Sequence, residues 1–391
     1  MQKLKMLPML ILMVVFSPLA IDIFLPALPI MASDLSAPLV NMQLSITMFM
    51  LSMGFGQLFT GPLTDRFGRK PIAIYGILIY MVSSLLCVYA DSLTMHLVAR
   101  LVQGFGTCAI VVSAFAIVRD KFNAIESGAM YSYLNGVICC VPALAPILGG
   151  WLTELYGWHS TFQFMGLYAI FALVLILSFL EETHAGDPSV KVTRLPVAIY
   201  ISILKQPQFL FHATLVMLSM AVIIAYVSCA PSWLMVELGL STDEFIYWFS
   251  LNASINIAAC LIAPKILKTY GVQLTISAGF AVLIFGGVLM LALKSHATAF
   301  NFMLPIMFSS VGFSLLMGTC AGQALEPFAK RAGTASALLG FMQMSGSAVL
   351  VAIVQSLSIN DVEQVALLML SVIPLLALWF SKRVKLKVLA S

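Results

Sequence analysis

The stretch GPLTDRFGRKP, residues 61–71, ends one long apolar segment, residues 40–62, and leads into another, residues 72–91. Each segment is long enough to cross a bilayer as an α-helix, which takes about 20 mainly apolar residues. The connection between them is short, basic and contains two glycines, which is typical of a tight turn on the cytoplasmic side of a membrane. The pattern predicts a helical hairpin in a membrane, and the rest of the chain repeats it.

The composition indicates that lipid is the solvent of this chain. Of its 391 residues, 61% are hydrophobic and 9% are charged, whereas a soluble domain has roughly 25% charged residues. We therefore predict an all-α integral membrane protein with twelve transmembrane helices. These spans cover residues 7–31, 40–62, 72–91, 94–118, 126–150, 158–180, 209–235, 245–264, 272–293, 298–323, 333–356 and 363–381.

The distribution of Lys and Arg predicts the orientation of the chain. If both termini are cytoplasmic, every Lys and Arg except Arg100 and Lys294 lies on the cytoplasmic side, as the positive-inside rule requires. The net charge of +4 reflects this sorting. It does not point to a nucleic-acid partner.

The longest polar connection, residues 182–206, divides the spans into six and six. We predict an N-terminal six-helix bundle over residues 1–181 and a C-terminal one over residues 207–391. Such a layout suggests duplicated halves around a central site. A weak repeat supports it, because the loop after span 2 aligns with the loop after span 8, where Lys268 replaces the acid at Asp65.

Two ionisable residues lie clearly within spans, Asp22 in span 1 and Arg100 in span 4. Such groups are costly in a membrane and are functional candidates by default. From the helical rise, Asp22 lies about 13 Å and Arg100 about 9 Å below the outer surface, so the two can share a layer. A carboxyl group whose desolvation is balanced by a nearby cation can exchange a proton near neutral pH. We predict that Asp22 carries a coupling proton and that Arg100 tunes it; the alternative is a structural ion pair.

A cluster at the inner ends of spans 2 to 4 predicts a conformational latch. Asp65 can face the amino terminus of span 11, where the helix dipole is positive, and Arg69 can pair with Asp120. Glycines serve where the chain reverses and helices approach. The positive-inside rule alone does not explain the acid and the glycines. The members of the latch are Gly61, Asp65, Gly68, Arg69 and Asp120.

Span 5 carries a pattern of prolines and glycines: Pro142, Pro146, Gly149 and Gly150. Prolines four residues apart free backbone carbonyl groups and bend a helix. In a carrier such a bend is a natural hinge or seal. The alternative is composition alone, because Pro and Gly are common in membrane helices.

Some polar and aromatic side chains within the spans are candidates for lining a substrate cavity, although any of them can instead bridge helices. These candidates are Gln57, Gln103, Asn135, Tyr226, Asn252, Asn256 and Gln343. Three tryptophans near the outer span ends, Trp151, Trp158 and Trp233, are expected to anchor the helices at the membrane interface.

Together these motifs resemble the major facilitator superfamily across the whole chain. Residues 61–71 are similar to its loop 2–3 signature, the segment around Arg100 to its span-4 signature, and residues 142–150 to the span-5 motif of drug/proton antiporters. Residues 22–29, DIFLPALP, are similar to span 1 of the Bcr/CflA drug-resistance branch. Val141 departs from the span-5 motif, in which a Gly often precedes the first Pro.

The resemblance implies two six-helix bundles, a central cavity and alternating access driven by inward proton flow. It also implies that Asp22 and Arg100 matter for coupling, that Asp65, Arg69 and Asp120 form the inner latch, and that span 5 serves antiport. A degenerate loop in the second half is usual for the superfamily.

The resulting prediction is a proton-coupled exporter of small organic compounds or drugs in a bacterial inner membrane. Its expected partners are the substrate, protons and the lipid bilayer, and the expected state is a monomer. The alternative is a carrier of one metabolite, by proton-linked import or natural-product export.

An intramembrane enzyme is disfavoured, because the sequence offers neither a nucleophile with a base nor a metal cluster. The histidines are scattered and mostly near span ends. No phosphate-binding loop and no metal-site spacing occur in the sequence, so we expect no cofactor and no metal.

Overall fold

The structure is a computed structural model that describes residues 2–122, 124–184, 186, 197–357 and 359–380. Every regular element within these residues is a helix. This is the expected outcome for an apolar chain in lipid, because a helix satisfies its backbone polar groups within one segment. The all-α class predicted from the composition is therefore confirmed.

The chain divides into two units, Met1–Leu195 and Pro196–Ser391. In the first unit, α3 and α4 are separated by a single residue, Gly68, and the hairpin predicted from residues 61–71 is present. The helices of this unit are α1 (Gln2–Asp22), α2 (Leu28–Asp34), α3 (Leu39–Phe67), α4 (Arg69–Val88), α5 (Leu93–Lys121), α6 (Ala124–Tyr156) and α7 (His159–Phe179).

The second unit begins within the connection that the sequence predicts to be polar. A short apolar helix, α8, lies there, with Tyr200 and Ile203 buried; residues 185 and 187–196 of the predicted connection lie outside the described residues. The helices of this unit are α8 (Val197–Leu204), α9 (Pro207–Pro231), α10 (Thr242–Leu293), α11 (Ala299–Leu325), α12 (Ala332–Phe341), α13 (Ser347–Gln355), α14 (Asp361–Leu370) and α15 (Ile373–Phe380).

Polar residues that immediately precede the apolar runs determine where several helices begin. The side chain of Ser92 accepts a hydrogen bond from the backbone N–H of Met95 at the start of α5. Thr298 caps α11 and Asn360 caps α14 in the same way. Ser, Thr and Asn are preferred at this position because their side-chain oxygens satisfy an N–H group that has no partner within the helix.

Among the described residues, 11 helices are long and apolar enough to cross a membrane. The sequence predicts twelve spans, and the difference lies in α10. This helix has 52 residues and contains Gly271, whose backbone is not helical (φ 79°, ψ 173°). A straight helix of that length would extend about 78 Å, whereas the hydrocarbon core is about 30 Å thick. The chain is a multi-pass membrane protein.

Candidate functional site

Span 1 is interrupted just beyond Asp22. α1 ends at Asp22, a turn of 3₁₀-helix covers Leu25–Ala27, and α2 begins at Leu28. Pro26 has no N–H and cannot donate the hydrogen bond that would continue the helix from the carbonyl oxygen of Asp22. Asp22 therefore occupies the end of a helix in the middle of an apolar segment, where it is only 3% exposed.

Arg100 is fully buried in α5 and lies against two aromatic rings. Its guanidinium carbon is 4.8 Å from the centroid of Phe24 and 4.6 Å from that of Phe49. Its Nε donates to the carbonyl oxygen of Ser45 at 3.4 Å, and its Nη1 donates to the side chain of Gln103. Arg100 is thus held by π faces and by neutral oxygens, and these contacts fix the plane of the guanidinium group.

Asp22 and Arg100 lie on different helices, α1 and α5, and their side chains are not paired. Phe24, two residues beyond Asp22, contacts the guanidinium group. Among the described residues no ion pair joins Asp22 to Arg100, and the Nη2 of Arg100 has no hydrogen-bond partner. In this conformation the structural ion pair that the sequence left open as an alternative is absent.

Gln103, a sequence candidate for substrate contact, bridges helices in this structure. Its side-chain oxygen accepts from Arg100, and its Nε2 donates to the hydroxyl of Ser84 on α4 at 2.8 Å. It is fully buried. Its contacts therefore support a role in holding Arg100 and in packing α5 against α4.

His96 is a buried polar residue of α5 that is not among the site candidates proposed from the sequence. It lies one turn before Arg100 on α5, is fully buried, and its Nε2 is 2.9 Å from the hydroxyl of Ser45. Ser45 also supplies the carbonyl oxygen that Arg100 contacts. The spacing of four residues between His96 and Arg100 is the sequence signal that could have identified it, because such residues share a helix face.

The latch residues meet at the turn between α3 and α4. Arg69 is buried, and its Nη1 donates to Asp65 at 2.6 Å while its Nε donates to Asp120 at 2.8 Å. The Arg69–Asp120 pairing predicted from the sequence is present. Arg119 lies 3.9 Å from Asp65. Because one guanidinium group engages two carboxylates on different helices, it ties α4 to both α3 and α5.

The two glycines of the latch differ in what they contribute. The chain reverses at Gly68, where φ is +95°, a conformation that favours glycine. Gly61 lies within α3, and a Cβ atom there would meet no atom within 4 Å. The expectation that Gly61 serves the reversal or a close helix approach is therefore not met in this structure.

The span-5 prolines lie within an unbroken helix. α6 continues through Pro142 and Pro146, and Gly149 and Gly150 are both buried. A Cβ atom at Gly149 would lie 1.6 Å from the carbonyl oxygen of Ile23, the residue after Asp22. The span-5 motif therefore contacts, through Gly149, the interruption in span 1.

The other candidates for a substrate cavity have mixed environments. Asn252 is buried and accepts a hydrogen bond from Ser310 at 2.9 Å, so it bridges α10 and α11. Tyr226 is buried and stacks on Phe249, with ring centroids 5.4 Å apart. Three further candidates are partly exposed, namely Gln57, Asn256 and Gln343, and Asn135 is exposed.

Trp158, expected at the membrane interface, is buried instead. It is 2% exposed, and its indole N–H donates to Asp34 at 2.8 Å. The contact joins the start of α7 to the end of α2. Amphipathic Trp residues favour an interface, but this side chain satisfies its N–H within the protein.

Within the part of the chain that the structure describes, many long apolar helices enclose buried ionisable side chains, among them Asp22 and Arg100, and this is the architecture of a membrane transporter. The sequence pattern of the Major Facilitator Superfamily matches residues 10–351. The chain belongs to the Major Facilitator Superfamily, and the resemblance seen in its motifs is confirmed.

Curated relatives and solved structures agree with this family. The chain is 32% identical to the multidrug resistance protein MdtL of Escherichia coli O139:H28 (strain E24377A / ETEC) over 335 residues, 86% of this chain and 84% of the relative. The MdtL protein of Shigella boydii serotype 18 (strain CDC 3083-94 / BS512) matches with the same identity and coverage.

Two solved structures share the fold. A D-xylose-proton symporter has a TM-score of 0.77 at 14% identity, covering 97% of this chain and 98% of the other. The human organic anion transporter MFSD10 (TETRAN) has a TM-score of 0.68 at 15% identity, covering 95% and 99%.

Proposed function

We propose that this chain exports small organic compounds, including drugs, from a bacterial cytoplasm in exchange for protons. The name of its relatives, multidrug resistance protein, supports the substrate class. The proline and glycine pattern of span 5 favours export over import. The proposed topology has both termini in the cytoplasm and twelve spans, with α10 forming two of them on either side of Gly271.

The observation that carries the proposal is the position of Asp22. Its carboxyl group is buried at the end of α1, where the helix of span 1 is interrupted. Interrupted helices with freed backbone groups are the usual setting of coupling-ion sites in transporters. A change of charge at Asp22 would alter the stability of one conformation relative to another, which is how proton binding can drive a conformational change.

Arg100 is proposed to tune this site rather than to bind the substrate. Its guanidinium group packs on two aromatic rings and donates hydrogen bonds to Ser45 and Gln103, and Nη2 alone among its nitrogens has no hydrogen-bond partner. A fixed positive charge close to the interruption in span 1 would favour loss of the proton from a carboxyl group that approaches it.

The cluster of Asp65, Arg69 and Asp120 is proposed to stabilise one of the states of an alternating-access cycle. Asp65 is 45% exposed at its side chain, and Arg69 is 3% exposed. A buried guanidinium group held by two carboxylates is costly to leave unpaired. Separation of α3 from α4 would therefore be opposed by this cluster, and its loss would shift the balance of states.

Gradient-driven transport in everted membrane vesicles tests the proposal. Addition of a substrate to vesicles that hold an acidic lumen should dissipate part of the pH gradient, and vesicles without this protein should show no such effect. A panel of cationic and neutral compounds would define the range. A response to one metabolite alone would instead identify a specific carrier, and absence of any response would contradict proton-coupled export.

A further inference from the structure

Glu182 lies beyond the end of α7 and contacts the first residues of α4. Its Oε1 accepts a hydrogen bond from the backbone N–H of Arg69 at 3.0 Å, and its Oε2 accepts one from the backbone N–H of Lys70 at 3.1 Å. The first N–H groups of a helix have no partner within the helix. Glu182 thus caps α4 with a carboxylate supplied from a part of the chain that is distant in sequence.

The same carboxylate closes the turn in which it lies. Its Oε1 also accepts from the backbone N–H of Thr183 at 2.8 Å and from that of His184 at 3.0 Å. One side chain therefore orders two segments at once. We call residues 182–184 together with Gly186 the docking segment.

Two glycines with positive φ allow the docking segment to approach the α3–α4 turn. Gly68 has φ of +95°, and a Cβ atom there would lie 2.6 Å from Oε2 of Glu182. Gly186 has φ of +79°, and a Cβ atom there would lie 2.5 Å from the carbonyl oxygen of Arg66. Each segment carries a glycine at the point where the other comes closest, so the two are sterically matched.

Further contacts connect the docking segment and its surroundings to the latch. The hydroxyl of Thr183 donates to Oδ2 of Asp120 at 3.4 Å. The ammonium group of Lys70 donates to the carbonyl oxygen of Leu177 in the last turn of α7 at 3.1 Å. Asp120 is the carboxylate that holds Nε of Arg69.

We propose that Glu182 is a positioning residue for Arg69, and that the docking segment is an integral part of the latch. The proposal rests on the proposed function, because it assigns Glu182 to the conformational control of transport. A carboxylate at a helix amino terminus gains from both the hydrogen bonds and the helix dipole. By fixing the backbone of Arg69, Glu182 sets where the guanidinium group meets Asp65 and Asp120.

Amide hydrogen exchange of the intact protein, followed by mass spectrometry, tests the contact without reference to transport. In Glu182→Ala the amides of Arg69 and Lys70 should exchange about tenfold faster or more, since each loses a hydrogen bond to a charged group. Glu182→Gln should give an intermediate result, because one side-chain oxygen remains. The matched control is Glu181→Ala at the exposed neighbouring acid, which should leave these amides unchanged.

Transport separates a positioning role from a merely structural one. Glu182→Gln should lower gradient-driven transport severalfold in the otherwise unmodified protein. In an Arg69→Lys background, where the two-carboxylate geometry is already lost, the same change should lower it less than about twofold, because residues that act through one another are not additive.

Unchanged amide exchange in Glu182→Ala would overturn the proposal. So would faster exchange with full transport, or equal losses in both backgrounds. If the unmodified protein transports none of the compounds, the proposed function fails, and amide exchange alone decides whether Glu182 holds the start of α4.

Discussion

Gly149 of α6 packs so closely against the backbone of Ile23 that a Cβ atom at position 149 would lie 1.6 Å from the Ile23 carbonyl oxygen. Ile23 follows Asp22, the last residue of α1. The span-5 motif and the candidate proton-binding carboxyl group are therefore joined by a backbone contact. A change in the path of either segment must be accommodated by the other.

The first prediction concerns this contact. Gly149→Ala should lower transport by about tenfold or more, because the added methyl group must displace the backbone beside Asp22 and such overpacking costs about 1–3 kcal/mol. Gly136→Ala on the same helix is the matched control, since a Cβ atom there meets nothing within 4 Å. Vesicle transport at equal protein levels is the measurement, and equal activity of the two variants would contradict the proposed link.

The second prediction concerns the shape of the Arg100 side chain. Arg100→Lys keeps the positive charge but loses the planar group that packs on Phe24 and Phe49. A desolvated cation–π contact contributes about 2 kcal/mol, so transport should fall by about tenfold or more.

Arg119→Lys, at a side chain that is 59% exposed, is the control for this change and should remain active. If Arg100→Lys transports as well as the unmodified protein, charge alone matters at position 100. The geometry described for Arg100 would then have no role in coupling.

The third prediction concerns the latch. Asp65→Asn replaces the carboxylate that accepts a hydrogen bond from Arg69 at 2.6 Å with a neutral amide. Because this weakens the latch, the resting population should shift toward the inward-open state. Alkylation of a single cysteine introduced on the cytoplasmic side should become faster. Asp91→Asn, at an exposed acid outside the latch, is the control. Unchanged alkylation in Asp65→Asn would count against the latch.

The fourth prediction concerns stability. Trp158→Phe keeps most of the buried apolar surface but leaves Asp34 without its indole partner. Because Asp34 is exposed and water can replace the indole, the loss should lower the free energy of unfolding by about 0.5–1.5 kcal/mol. A lower Tm than that of Trp151→Phe, at a residue that is 56% exposed, is the expected result. Equal Tm values would show that the Trp158–Asp34 hydrogen bond is unimportant.

Much of the architecture follows from the sequence because lipid imposes simple constraints. Long apolar runs must become helices, and the positions of Asp22 and Arg100 within such runs identify both residues as candidates. The sequence also predicts the Arg69–Asp120 pairing, since both residues flank the cytoplasmic ends of predicted spans. These inferences need only local sequence and the geometry of a helix.

The missed features depend on contacts between segments that are distant in sequence. Nothing near Glu182 indicates that it meets the backbone of Arg69, and nothing near Trp158 indicates that Asp34 accepts its N–H. Likewise, nothing near His96 in the sequence indicates that its ring meets the hydroxyl of Ser45. The interruption of span 1 is not among the predictions, although Pro26 is a local signal for it because proline lacks the donor that would continue the helix.

The last prediction is the most direct test of the account, which assigns the coupling proton to Asp22. Purified protein in a weakly buffered solution should release protons when a substrate is added, as followed with a pH-sensitive dye. Asp22→Asn, which removes the titratable group while keeping its size, should fold and insert but release none. Proton release by Asp22→Asn equal to that of the unmodified protein would contradict the central claim.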